Sequence, residues 1–142
     1  MKALPYMSEE KNIHEAKRWL ATALDDFKAA DILMKNRMFA HSCFLFQQAA
    51  EKALKALWYR EDLDPWGHSA LKLIEGLPKK YGPLKRLKSP AAFLDKFYIP
   101  THYPNGLPEL TPSQAYTHKE SFLCRKETLK ILKKIQDIIE NG

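Results

Sequence analysis

Residues 44–71 read FLFQQAAEKALKALWYREDLDPWGHSAL, a helix that is apolar on more than one face and then turns through a proline into a histidine. Phe39, Cys43, Phe46, Ala50, Ala53 and Leu57 recur at gaps of four and three, the spacing of a buried helical stripe. Phe44, Leu45, Ala49, Leu54, Ala56 and Trp58 carry apolar character past that stripe. A helix this broad in its apolar surface, running from about Met38 to Glu61, belongs at the centre of a bundle or against a second subunit. Its polar residues are not scattered. His41, Gln48, Lys52 and Lys55 are spaced to share one longitudinal line, with Gln47 and Glu51 beside it. Such a line is a ligand groove, plain solvent-facing polarity, or a buried hydrogen-bond network that orients the helices or a dimer interface.

Upstream, Ile13, Ala16, Leu20, Ala23, Phe27, Ala30 and Met34 alternate gaps of three and four, the seam of a long amphipathic helix from Ser8 to about Arg37. Ser8 is placed to cap it, with Glu9 and Glu10 against the positive end of its dipole. Only local polarity at Asn36 and Arg37 marks the break before the next helix.

Downstream, Asp64, Pro65 and Gly67 supply turn chemistry, and Ser69 or His68 can open a third helix through Leu71, Ile74 and Leu77. Pro78, Gly82 and Pro83 keep it short. Ser89 followed by Pro90 predicts the start of a fourth helix carrying Phe93, Leu94 and Phe97. The four prolines and one glycine from Pro100 to Pro112 exclude a regular helix or a central strand there, yet His102, Tyr103 and Leu107 suggest a loop packed on the bundle. A last helix is expected near Thr117, where Thr117 and Glu120 form a capping-box pattern. Thr111, Pro112 and Gln114 offer an earlier start. Phe122, Leu129, Leu132, Ile135 and Ile139 are its expected buried stripe. No alternating strand pattern and no internal repeat occurs, so the expected fold is all-α, an up-and-down bundle of four to five helices with a proline-rich loop before the last.

At 142 residues the chain suits a single domain, residues 1–142. No apolar run approaches the roughly 18 residues of a membrane span. The opening MKALPYMSEEKN has neither an apolar h-region nor a cleavage-site pattern, which predicts a cytoplasmic protein. Cys43 and Cys124 lack zinc-site spacing and read as small core hydrophobes; no metal and no cofactor is expected. The net charge of +6 arises wholly in the second half, whose densest run, KKYGPLKRLK, contains no acid. That run is either a solvated loop face or an attractor of polyanions such as nucleic acid.

Known catalytic signatures are missing: there is no P-loop, no glycine-rich dinucleotide fingerprint, no nucleophile elbow and no His-Glu-x-x-His. Asp25 and Asp26 project about 100° apart on a helix and read as surface charge. His14 and His118 read as exposed, whereas His41, His68 and His102 lie on the polar line or beside turns.

The segments RWLATALDDFKAADILMKNRMFAHSCFLFQQAAEKALKALWY, GHSALKLIEGL and YIPTHYPNGLPELTPSQAYTHKES together resemble the HEPN domain, named for higher eukaryotes and prokaryotes nucleotide-binding, over residues 16–139. The resemblance implies a helical bundle, often dimeric, related to the helical half of kanamycin nucleotidyltransferase. It further implies a partner, a minimal nucleotidyltransferase, in a two-component system of toxin–antitoxin type. Some members bind nucleotides and others are metal-independent ribonucleases, so RNA is also admitted as a ligand.

The ribonuclease branch places four to six residues between an arginine and a histidine, the histidine to move a 2′-hydroxyl proton and the arginine to stabilise phosphate charge. Here three residues separate Arg37 from His41 and seven separate Arg60 from His68. His102 and Asn105 also stand where an arginine and an aspartate are common. These departures favour a chain that is non-catalytic by itself and binds a nucleotide or another phosphate-bearing ligand. Its expected site is Gln48, Lys52, Lys55, His68, His102 and Tyr103, the lysines suiting phosphate and the aromatic ring a base. The alternatives are a ribonuclease with atypical spacing and a purely structural dimerisation module.

Overall fold

A computed structural model describes residues 5–141, with side chains from Glu9 onward. Six α-helices follow in order: α1 (Pro5–Lys35), α2 (Phe39–Arg60), α3 (Ala70–Glu75), α4 (Lys88–Asp95), α5 (Pro112–Ala115) and α6 (His118–Asn141). A kinked 3₁₀ segment, Lys79–Leu87, joins α3 to α4, and one 3₁₀ turn, Pro104–Gly106, lies in the proline-rich loop. The described residues contain no strand, and none of their helices is long and apolar enough to cross a membrane.

α2 is the central element, packed against α1, α3, α4, α5 and α6. The antiparallel pairing of α1 with α2 shows in Trp19 against Tyr59 and Phe27 against Phe46. Ala16, Ala23 and Ala30, seven residues apart, are all fully buried and meet an alanine-rich α2. Small side chains at successive seam positions let the two backbones approach closely. Ile13, expected in this seam, is exposed.

α6 runs parallel to α2. Ser42 shares a hydroxyl hydrogen bond with Ser121, Thr128 donates to the carbonyl of Phe46 at 2.9 Å, and Arg60 donates to the carbonyl of Ile138 at 3.0 Å. Cys43 and Cys124 are free, buried and adjacent in this seam, as their core reading required. The buried stripe of α6 is Ser121, Cys124, Thr128, Ile131, Leu132, Ile135 and Ile139. Phe122, expected inside, is 51% exposed, and Leu129 is only half-buried.

Two helix ends use a backbone device that their residue types conceal. The amide of Met38 bonds the carbonyl of Leu33 and that of Arg37 the carbonyl of Met34, a Schellman motif with Arg37 at φ 63°. Asp62, φ 57°, closes α2 in the same way. α1 opens at Pro5, a turn before the expected cap at Ser8, whose side chain lies outside the described residues. α4 starts at Lys88, so Ser89 is inside the helix and not its cap.

Ser69 does cap α3, accepting from the amide of Lys72, and the Asp95 carboxylate at the end of α4 binds the Ser69 hydroxyl and the amides of Ala70 and Leu71. A full Thr111/Gln114 capping box opens α5, whereas at Thr117 only half of the expected box forms: Glu120 accepts from the amide of Thr117 at 3.0 Å, and the Thr117 hydroxyl bonds the same carboxylate.

Gly76 ends α3 where the Trp58 indole packs against the backbone. A Cβ there would sit 2.5 Å from the ring, whose Nε1 donates to the carbonyl of Leu73 at 3.0 Å. Gly76→Ala therefore lowers the urea midpoint by an amount equivalent to about 1–3 kcal/mol. Gly82→Ala, where a Cβ meets nothing within 4 Å, leaves the midpoint unchanged or raises it by up to about 1 kcal/mol.

Candidate functional site

The polar line on α2 resolves into a buried network centred on Glu51, which is 2% exposed. Lys55 binds its Oε2 at 3.1 Å; His68 Nδ1 and the amide of Gln48 reach its Oε1, both at 3.3 Å. Gln48 also donates to the side-chain oxygen of Gln47 at 2.7 Å, and fully buried Gln47 donates to the carbonyl of His68 at 3.1 Å. A carboxylate taken out of water needs such partners, because an unpaired buried charge costs several kcal/mol. Their consequence is positional: residues 61–69, which leave α2 without regular structure, are pinned back along its side with His68 over Glu51.

Above Glu51 the aromatic groups gather. The His68 ring stacks on Tyr98 at 4.5 Å and 15°. His102 lies edge-on to Tyr98 at 5.1 Å, 4.2 Å from Phe44 and 4.4 Å from Tyr103. The segment after α4 holds these rings in place: the Thr101 hydroxyl bonds the carbonyl of Phe97, and the Tyr103 amide donates to the carbonyl of Ile99 at 3.0 Å. Tyr103 remains 52% exposed, and the His68 side chain 56% exposed.

Burial, with His68 as the lesser cause, holds the His102 imidazole below its ordinary value, and its Nδ1 is buried with no partner among the described residues. The Tyr98 phenol is pushed up by burial and then by the charges of Glu51 and Tyr103. The Glu51 contact is made at Nδ1, and the other nitrogen of His68 has no hydrogen-bond partner among the described residues. The arrangement can stack a planar ring on Tyr103 or His68 and can exchange hydrogen bonds or a proton with it.

Five of the six expected residues, Gln48, Lys55, His68, His102 and Tyr103, thus come together. Lys52 does not join them. Its ammonium is paired at 2.7 Å with Asp26 of α1, a residue read from sequence as plain surface charge. Sequence reading also passed over Tyr98 and Phe44 as members of the cluster and left Glu51 beside the line rather than at its hub. The pair Arg60 and His68 is not assembled: Arg60 reaches α6 at Ile138, while His68 faces Glu51. Arg37 and His41 are both exposed at the start of α2, with Arg37 over the ring of Phe39 at 5.9 Å.

A family model described as the HEPN domain matches residues 16–141. Among solved structures, TT1696 from Thermus thermophilus is similar with a TM-score of 0.83 and 35% identity, over 87% of this chain and 97% of that one. ST0689, an archaeal HEPN homologue, is similar with a TM-score of 0.74 and 30% identity, over 88% and 98% of the two chains. The HEPN domain protein tm0613 from Thermotoga maritima gives 0.64 and 25%, over 88% and 99%. No curated protein matches the chain.

Replacing Glu51 by Gln strands the ammonium of Lys55, whose side chain is 12% exposed, and destabilises the fold by about 3 kcal/mol. Adding Lys55→Met restores most of that loss, read by chemical denaturation. His102 yields a pH signature. Its folded-state value lies below the unfolded one, so between the two the unfolded chain binds more protons and stability rises with pH. The contribution is intact above about pH 6.5 and is lost as pH falls through the lower folded value. A His102→Gln variant shows a correspondingly flatter stability profile on the acid side.

Proposed function

The chain belongs to the HEPN domain family, and from that premise we propose that the ring cluster over Glu51 binds a nucleobase-bearing ligand, with a nucleotide as the first candidate. The observation that carries the reading is the exposed Tyr103 ring beside the His68–Tyr98 stack, rigidly held from below by a satisfied buried carboxylate. A base gains stacking on the exposed Tyr103 ring, and its edge can exchange a hydrogen bond with the His68 nitrogen that Glu51 does not use. The phosphate has less to hold it here. Lys52 and Lys55 already face Asp26 and Glu51, so a phosphate has to compete with two carboxylates. Binding by this cluster therefore rests on the base more than on the phosphate, and the protein acts by binding and not by cleavage.

Family membership also supports the wider setting: a cytoplasmic homodimer paired with a minimal nucleotidyltransferase in a two-component, toxin–antitoxin-like system. Copurification with the product of a neighbouring nucleotidyltransferase reading frame tests that pairing directly.

The ligand reading is tested by calorimetric titration with nucleosides and nucleoside monophosphates. Tyr103→Ala and His68→Ala are each expected to weaken binding about ten-fold, the equivalent of one lost stacking contact. Lys52→Ala is expected to leave it unchanged. Absence of heat at millimolar nucleotide, or equal affinity in wild type and Tyr103→Ala, overturns the reading.

A further inference from the structure

α6 has a second face that neither the core nor the ring cluster uses. Three concavities lie end to end along it. The first, about 410 Å³, opens between α6 and the 3₁₀ segment Lys79–Leu87 and includes Lys80 and Lys134. The second, about 250 Å³, shares Pro83 and Lys134 with the first and adds Arg86 and Lys130. The third, about 280 Å³, shares Lys130 with the second and runs past Lys126 and Lys133 to Phe122. Sharing Lys130 and Lys134, the three adjoin one another, and we refer to this stretch of the α6 surface as the trough. From Phe122 to Ile138 it follows α6 for about 24 Å at 1.5 Å per residue.

Its charge is one-sided. Among the described residues Arg86, Lys126, Lys133 and Lys134 make no ion pair. Lys130 is held by Glu127 at 3.0 Å and Lys80 by Glu61 at 2.7 Å; among the described residues Asp137 is the one carboxylate lining the trough. Lys126, Lys130 and Lys134 succeed one another every four residues, a step of about 6 Å along the helix. Leu129 and Leu87 give the walls apolar stretches, and at the upper end the exposed Phe122 ring stands beside Arg125.

We infer that this trough binds a single strand of nucleic acid, its phosphodiester backbone laid along the lysines and a base stacked on Phe122. A row of cations along one helix matches an anion that repeats along a line, and an aromatic ring at the end of the row gives a base a face to stack on. About 24 Å accommodates about seven stacked nucleotides at about 3.4 Å each. An anionic membrane fits less well, because the cations lie within a concave channel and the one large exposed apolar side chain there is Phe122. The trough shares no residue with the nucleobase cluster.

The test is fluorescence anisotropy with the whole chain and short labelled single-stranded RNA and DNA of the same sequence, between about 50 mM and about 200 mM salt. About five phosphates neutralised predicts an affinity falling with a log–log salt slope of about 3.5. Lys133→Ala/Lys134→Ala weakens binding at least ten-fold at low salt and lowers the slope by about 1.4. Phe122→Ala weakens binding about ten-fold and leaves the slope unchanged, as loss of one stacked base requires. Equal binding of RNA and DNA assigns recognition to the shared backbone; preference for RNA assigns part of it to the 2′-hydroxyl. Either supports the trough. Lys11→Ala/Lys72→Ala removes the same charge outside the trough and is expected to stay within two-fold of wild type. No binding at low salt, or an equal loss in that control, overturns the inference. So does binding of phosphatidylserine vesicles but not oligonucleotides, or a change of oligomeric mass in the trough variants at unchanged affinity.

Discussion

A carboxylate that has to be buried, Glu51, organises the functional side of this molecule. It projects from the most enclosed helix of the bundle, and the only way to hold it there is to surround it with donors. Lys55 and Gln48 come from the same helix, one turn away, but His68 comes from residues 61–69, which have no helix or strand of their own to fix them. The network therefore fixes this segment as a ladder or a helix would elsewhere. Once His68 is set, Tyr98 stacks on it, and the proline-rich loop follows with His102 and Tyr103. The ring cluster is the downstream result of compensating one charge, and its geometry is rigid because a half-satisfied network costs more than a complete one.

Much of the architecture is legible in the residues because the signals are local. The three-and-four spacing of α1 from Ala16 on, the broad apolar surface of α2, the Ser69 cap, the Thr111 box and the Glu120 half of the Thr117 box all depend on neighbours within a turn or two, and all form. What escapes reading depends on distant partners or on backbone conformation. Arg37 and Asp62 occupy left-handed positions that glycine usually announces. Asp95 caps a helix from twenty-five residues away. Lys52 belongs to the polar line by spacing, yet Asp26 on another helix claims its ammonium.

Phe122 illustrates the same limit on α6. Apolar spacing places it with Leu129 in a stripe, but the stripe that α2 covers is offset and built partly of Ser121, Cys124 and Thr128. Small and hydroxylated side chains fit a parallel seam closed by hydrogen bonds, and they leave Phe122 and Leu129 turned toward the lysines. One helix thus carries two unrelated surfaces, a dry seam toward α2 and a basic trough outward. The charge excess of the second half becomes intelligible only when α6 and the 3₁₀ segment are seen to face each other.

The parallel pairing of α2 with α6 has a bearing on how the chain reaches its native state. Contacts such as Ser42 with Ser121 and Arg60 with Ile138 close loops of nearly eighty residues, whereas the α1–α2 hairpin turns over three. Loop closure of that length is entropically costly and slow compared with forming a local hairpin. During synthesis the hairpin leaves the ribosome before α6, and its cysteine and serine edge stays uncovered until α6 emerges. Among the described helices, the one synthesised after the other five is the one that seals the bundle.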